Sequence, residues 1–175
     1  MSNEPEIPGI REDEDLEVAR IVGLINRAFD GVPRGKMTMR EAEVVDSTGT
    51  AAERRAARAL DTEARWQDIP DELTEVCCNA MSFFDPESWR YYLPVYMCWT
   101  LRSYRTSDWI TSDFTIYHLG YSDARALERN ATLSQTQAAA VFEFLRHMAT
   151  TGECDFEAAQ QAIDVYWHRF APQSP

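Results

Sequence analysis

The segment PESWRYYLPVYMCWTLRSY, residues 86–104, decides the fold. It follows Asp85, and the pair Asp85-Pro86 sets an N-cap carboxylate ahead of a proline at the first helical position, so a helix starts there. Trp89, Tyr92, Leu93, Tyr96, Met97, Thr100, Leu101 and Tyr104 recur on one face, while Tyr91, Val95, Cys98 and Trp99 make the opposite side apolar too. A helix that is apolar nearly all round belongs in the middle of its domain. Pro94 cannot donate to the carbonyl of Arg90, which predicts a kink or a break into two helices.

Helical patterns continue on both sides. Upstream, Val18, Ile21, Val22, Ile25 and Phe29 form a stripe from Glu14 to about Asp30. Residues 1–13, acidic and proline-bearing, read as a mobile tail. Three capping boxes, Thr38-x-x-Glu41, Thr50-x-x-Glu53 and Ser134-x-x-Gln137, open further helices. The first is expected to run to about Val45, the second from Ala51 to about Trp66, and the third to Gly152. Pro70–Phe84 and Asp155–Phe170 complete the pattern, and 172–175 form a short tail. Between Arg105 and Asn130 the pattern is weakest: alternation around 113–117 allows a short strand, although a short helix capped by Ser112 or Asp113 is preferred. The expected fold is therefore all-α, one domain over 14–171, with about six to seven helices around the proline-kinked helix 86–104.

A net charge of −12 over 175 residues repels phosphate backbones and argues against nucleic acid as a partner. No stretch approaches the roughly 20 apolar residues of a membrane span, and Met1–Asp15 lacks the basic and apolar regions of a signal peptide, so a cytoplasmic protein is expected. Cys77, Cys78, Cys98 and Cys154 show no metal-ligand or redox spacing and read as buried free thiols.

Phosphate-binding, dinucleotide, nucleophile-elbow and zinc-protease motifs are all missing, which lowers the weight of an enzymatic reading without removing it. His118, His147 and His168 are far apart in sequence and are expected at helix ends or on the surface. Asp46, Asp61 and Glu63 lie in an acidic region that could bind a cation, but interleaved arginines favour a solvated, ion-paired face; neither metal nor cofactor is expected. Arg90, flanked by Trp89 and Tyr91, needs a partner if buried, and Asp61, Glu63 and Asp85 are the candidates, with hydroxyls from Tyr91, Tyr92 and Tyr96. The aromatic residues of 83–104, Tyr104 among them, are expected chiefly to pack the core, although with Trp66 they could also line a ligand cavity.

The run from Phe84 to Met97, Phe-Asp-Pro-Glu-x-Trp-Arg-Tyr-Tyr-Leu-Pro-Val-Tyr-Met, resembles the signature of a family of small bacterial proteins of unknown function. Ile25-x-x-Ala28-Phe29, Glu41-Ala42-x-x-x-Asp46, Trp66-x-x-Ile69-Pro70, Ser112–Tyr117 and Leu133-Ser134-x-x-Gln137 extend the resemblance over about residues 16–168, with valine instead of alanine at position 95. The resemblance implies a single bacterial domain and brings no activity, cofactor or catalytic residue.

Two functions remain. One is a non-catalytic acidic interaction module, in the manner of immunity proteins or antitoxins, monomeric or weakly dimeric and steered toward a basic protein partner. The other is a small-molecule binding or hydrolytic domain built on an aromatic cavity around Arg90. A deep pocket converging on Arg90 favours the second, and a closed core with an acidic, aromatic-edged surface favours the first.

Overall fold

The computed structural model describes residues 8–172. Nine α-helices lie among them: α1 Pro8–Ala28, α2 Met39–Asp46, α3 Ala51–Arg58, α4 Asp71–Val76, α5 Pro86–Ser103, α6 Thr111–Gly120, α7 Ala124–Asn130, α8 Gln135–Thr151 and α9 Phe156–Val165. Short 3-10 turns occupy Trp66–Asp68, Cys78–Ser82 and Trp167–Phe170. The fold is a single all-α bundle. No described helix is long and apolar enough to cross a membrane.

Helix α5 lies at the centre. Every residue from Ser88 to Leu101 is buried except Arg90, and α1, α4, α6 and α7 all pack against it. Asp85 caps it as expected, accepting from the amides of Glu87 and Ser88 at 3.0 Å each. Pro94 does not break the helix, which runs through it without interruption. The loop before α2 seals the start of α5: the Met37 amide donates to Asp85 Oδ2 at 3.1 Å and to Ser88 Oγ at 3.0 Å. This approach requires Gly35, where a Cβ would sit 2.2 Å from the Ser88 backbone nitrogen.

Several boundaries differ from the sequence expectation. Helix α1 starts at Pro8, upstream of Glu14; residues 1–7 of the expected tail lie outside the described residues, as do 173–175 of the C-terminal one. The Thr50 and Ser134 capping boxes form in full. The Thr38 box does not, because Glu41 turns away to Arg54 and Arg58, leaving the buried Thr38 hydroxyl without a partner. Helix α3 stops at Arg58, well short of Trp66, where the chain turns so that Asp61 can accept the Arg40 amide at 3.0 Å. Residues 113–117 form no strand. They lie in α6, where the Thr115 hydroxyl donates to the Thr111 carbonyl at 2.8 Å and Ile116 and Leu119 enter the core. Helix α7 restores regular structure to a segment with no clear pattern.

The ends are tied in. An ion network of Glu17, Arg20, Glu143 and Arg146 joins α1 to α8, with Arg20 Nη2 2.5 Å from Glu143 and Arg146 Nη2 2.7 Å from Glu17. Gly152, at φ +69°, terminates α8 in the left-handed conformation. The Trp167 indole donates to the Leu119 carbonyl at 2.8 Å and fastens the C-terminal turn to α6.

Candidate functional site

The central helix does not assemble the expected constellation around Arg90. Its partner is neither a carboxylate nor a tyrosine: Arg90 Nε donates to Gln137 Oε1 at 2.9 Å. That oxygen also accepts the Ser134 amide at 3.0 Å, and Gln137 Nε2 donates to the Ala28 carbonyl at 3.1 Å. One amide therefore caps α8 and links it to α5 and α1. Arg90 is only partly buried, which leaves part of its guanidinium open to solvent.

The other motif residues serve the fold. Tyr96 is buried and donates to the Cys77 carbonyl at 2.6 Å. Trp66 donates its indole hydrogen to the Phe29 carbonyl at 2.9 Å. Tyr92 stacks on Phe84 with ring centroids 4.8 Å apart, and burial drives its hydroxyl pKa upward beside Asp61 and Arg34. The Tyr91 hydroxyl, also pushed up by burial, has Arg34, Glu63 and Asp68 nearby but no hydrogen-bond partner among the described residues. Asp61 holds the Arg40 guanidinium. Asp46 lies apart from that group, where it accepts from Asn79 at 3.3 Å. The expected acidic cluster is thus split, and among the described residues no three His, Cys, Asp or Glu side chains stand where they could hold one metal ion. Trp66 borders two clefts, one of about 200 Å³ with Ile69, Val95 and Cys98 and one of about 430 Å³ with Asp30, Val32, Pro33 and Arg65.

His118 lies in the last turn of α6 and His168 is exposed in the C-terminal turn, as expected; what differs is burial. His118 and His147 are buried. His118 Nδ1 donates to the Phe114 carbonyl at 2.8 Å, so Nε2 accepts from the Ser82 hydroxyl at 3.1 Å. Burial, reinforced by Arg129 and Arg125, lowers its pKa to about 4 and keeps the ring neutral. Burial likewise pushes the Cys77 and Cys98 thiols up to about 12 and raises those of Cys78 and Cys154, which are partly exposed. None is poised as a nucleophile.

Several arginines neutralise neighbouring acids. Glu41 is buried between Arg58, at 2.6 and 2.7 Å, and Arg54, at 3.1 Å. Arg102 pairs with Asp71, and Arg105 with Glu14. The face formed where α6 packs on α9 is different in kind, because there a gap in basic residues coincides with exposed aromatic side chains. Residues 106–124 and 147–168 contain no lysine or arginine, yet carry Asp108, Asp113 and Asp123 in the first segment and Glu153, Asp155, Glu157 and Asp164 in the second. The same segments hold all the exposed aromatic residues among those described: Trp109 (47%), Tyr117 (36%), Tyr121 (47%) and Phe156 (39%). A groove of about 170 Å³ runs between the helices, lined by Ile116, Tyr117, Gly120, Tyr121, Ala158 and Ala162. At its edge the Tyr117 hydroxyl donates to Asp155 Oδ2 at 2.8 Å, and the Asp155 amide donates to Asp113 Oδ1 at 3.1 Å. Motif reading passes over this face; the signal for it was the paired gaps in arginine, which acquire meaning only when the two segments meet.

No curated protein and no solved structure matches the chain. A family model does match it over residues 17–171, nearly the whole of the described bundle, and the chain belongs to that family, described as a family of unknown function (DUF6714).

Proposed function

We propose that this protein is a non-catalytic acidic interaction module that acts in the cytoplasm by engaging a basic protein partner, in the manner of an immunity protein or antitoxin. The observation that carries the reading is the co-location of uncompensated carboxylates and exposed aromatics on the α6–α9 face. Charge of one sign steers a basic partner at long range, and exposed aromatic area holds it at short range. The disposition of the central motif supports the same conclusion, since Arg90, Tyr96 and Trp66 are engaged within the fold and leave no convergent acid–base pair at a cavity. The unit of action on this reading is a monomer or weak homodimer.

The test is copurification from the native host at low ionic strength, followed by reassembly from purified components. A basic partner should bind with an affinity that falls at least about tenfold as salt rises through the range where the Debye length shrinks from roughly 10 Å to 3 Å. An acidic partner, or an affinity indifferent to salt, would refute the reading.

A second reading, a small-molecule or hydrolytic domain, draws on the unpartnered Tyr91 hydroxyl and on the roughly 430 Å³ cleft beside Trp66. Ligand screening by thermal shift, repeated with Trp66→Leu, tests it: a stabilising compound whose effect the variant abolishes would favour this reading over the first.

A further inference from the structure

We infer that the α6–α9 face is the docking surface itself and that its occupant is an arginine-bearing, partly apolar segment of the partner protein; this rests on the interaction-module reading above. The face has an apolar floor and aromatic rims. Ile116, Ala158 and Ala162 line the groove, with Tyr117 on the last turn of α6 and Tyr121 just past its end. Left bare, such a face would attract many apolar partners. Its surroundings select among them.

Every charged group set into α6 and α9 is a carboxylate: Asp113 on α6, Glu157 and Asp164 on α9, with Asp155 capping α9 at its N-terminus. The nearest cations are already engaged. Arg105 is bound to Glu14, Arg125 reaches the Phe84 carbonyl at 3.5 Å, Arg169 lies 4.4 Å over the Tyr166 ring, and the buried Arg129, beside Asp123 and Tyr121, donates to the Met81 carbonyl at 2.8 Å. His118, next to Tyr121 with ring centroids 5.2 Å apart, is buried and makes hydrogen bonds through both nitrogens. An incoming cation therefore meets carboxylates with no competing positive charge on either helix.

Arginine fits better than lysine. Its planar guanidinium can stack on a tyrosine face and donate in parallel to a carboxylate, whereas an ammonium is more strongly hydrated and binds as a point charge. Aliphatic neighbours in the same segment would cover Ile110 and Val165, both exposed and flanking the groove helices. The same acidity disfavours an anionic membrane or a nucleic acid as the occupant.

The probe is a short amphipathic peptide with arginines on one side and leucines on the other, compared with versions in which lysine or glutamate replaces arginine. Binding to the full chain is followed by amide chemical shifts and by quencher access to tryptophan, because Trp109 is exposed while Trp66, Trp89, Trp99 and Trp167 are buried. Shifts should concentrate in residues 109–121 and 153–165, Trp109 should become shielded, and arginine should outbind lysine. The triple variant Tyr121→Ala, Glu157→Gln, Asp164→Asn should bind at least roughly tenfold more weakly, whereas Glu72→Gln with Glu75→Gln on α4, an equal change in charge, should alter affinity less than about twofold. Melting curves establish that both variants are folded. Equal weakening by the two variants, or shifts centred elsewhere, would overturn the surface and leave the basic-partner reading standing. Equal binding of the glutamate peptide would overturn the charge selection, and no binding by the parent chain would overturn the surface and the underlying reading together.

Discussion

Arg90 and Ser134 share one acceptor: the guanidinium Nε and the backbone amide both donate to Gln137 Oε1, at 2.9 and 3.0 Å. A helix cap and a link between helices therefore depend on the same atom. Arg90→Met keeps the side-chain stem and leaves Gln137 capped, so it should cost about 1 kcal/mol. Gln137→Ala removes the side-chain half of the capping box, the arginine contact and the bond to Ala28, while the Ser134 hydroxyl still caps the helix, and should cost about 2 kcal/mol. Urea denaturation of both single variants and the double variant should give a coupling of about 1 kcal/mol; strict additivity would show that the shared acceptor does not link the helices energetically.

The Glu41 clasp is asymmetric. The Glu41 side chain is 2% exposed, against 39% for Arg54 and 50% for Arg58. Burial works to raise the Glu41 pKa, but hydrogen bonds from Arg58 and Arg54 outweigh it and hold the group below the usual carboxylate range. Removing both arginines strands a buried charge, so Arg54→Ala with Arg58→Ala should cost on the order of 3–5 kcal/mol. Glu41→Met leaves two arginines that water can solvate and should cost less than about 2 kcal/mol. The reverse order in equilibrium unfolding would contradict this account.

Arg129 is buried and pairs with no carboxylate among the described residues. It donates to the Met81 carbonyl at 2.8 Å and lies 4.5 Å over the Trp89 ring, while its Nε has no partner and burial lowers its pKa. Replacement by methionine relieves the desolvation and keeps contact with the indole. Thermal unfolding of Arg129→Met should match or exceed the parent, whereas Trp89→Ala should cost about 3–5 kcal/mol through the cavity it leaves. A large loss in Arg129→Met would show that the cation holds the turn at Met81.

His118 makes stability depend on pH. Its folded pKa, about 4, lies below the ordinary 6.5, so between these values the unfolded chain binds a proton that the folded chain excludes. Stability from this group is complete above pH 6.5 and is lost as pH falls toward 4, up to about 3 kcal/mol. Denaturation at pH 7 and pH 5 should show a drop in the parent that is smaller in His118→Phe. An NMR titration placing the imidazole midpoint near 6.5 would exclude the mechanism.

Local patterns were legible where one helix holds its own partners. The Thr50 and Ser134 boxes and the Asp85 cap form as their spacing predicts, because donor and acceptor are within a turn of each other. The Thr38 box has the same spacing and fails, since Arg54 and Arg58 on the next helix compete for Glu41. Helix α3 ends early for the same reason: a distant group, Arg40, takes Asp61. The partner of Arg90 was hidden because Gln137 already had a local role, and nothing in the sequence shows that its oxygen can accept twice. The α6–α9 face was harder still, because neither arginine-poor segment is unusual alone and their adjacency is tertiary.

The missing counter-charges on that face also bear on self-association. An isologous contact sets a patch against its own copy, so a two-fold pairing through α6 and α9 would bring Glu157 and Asp164 toward a second set of carboxylates with no arginine between them. The exposed tyrosines, Trp109 and Phe156 would otherwise make homotypic stacking favourable. On the interaction-module reading proposed above, like-charge repulsion would give the face a built-in self-avoidance, keeping its aromatic surface open in a crowded solution of identical molecules.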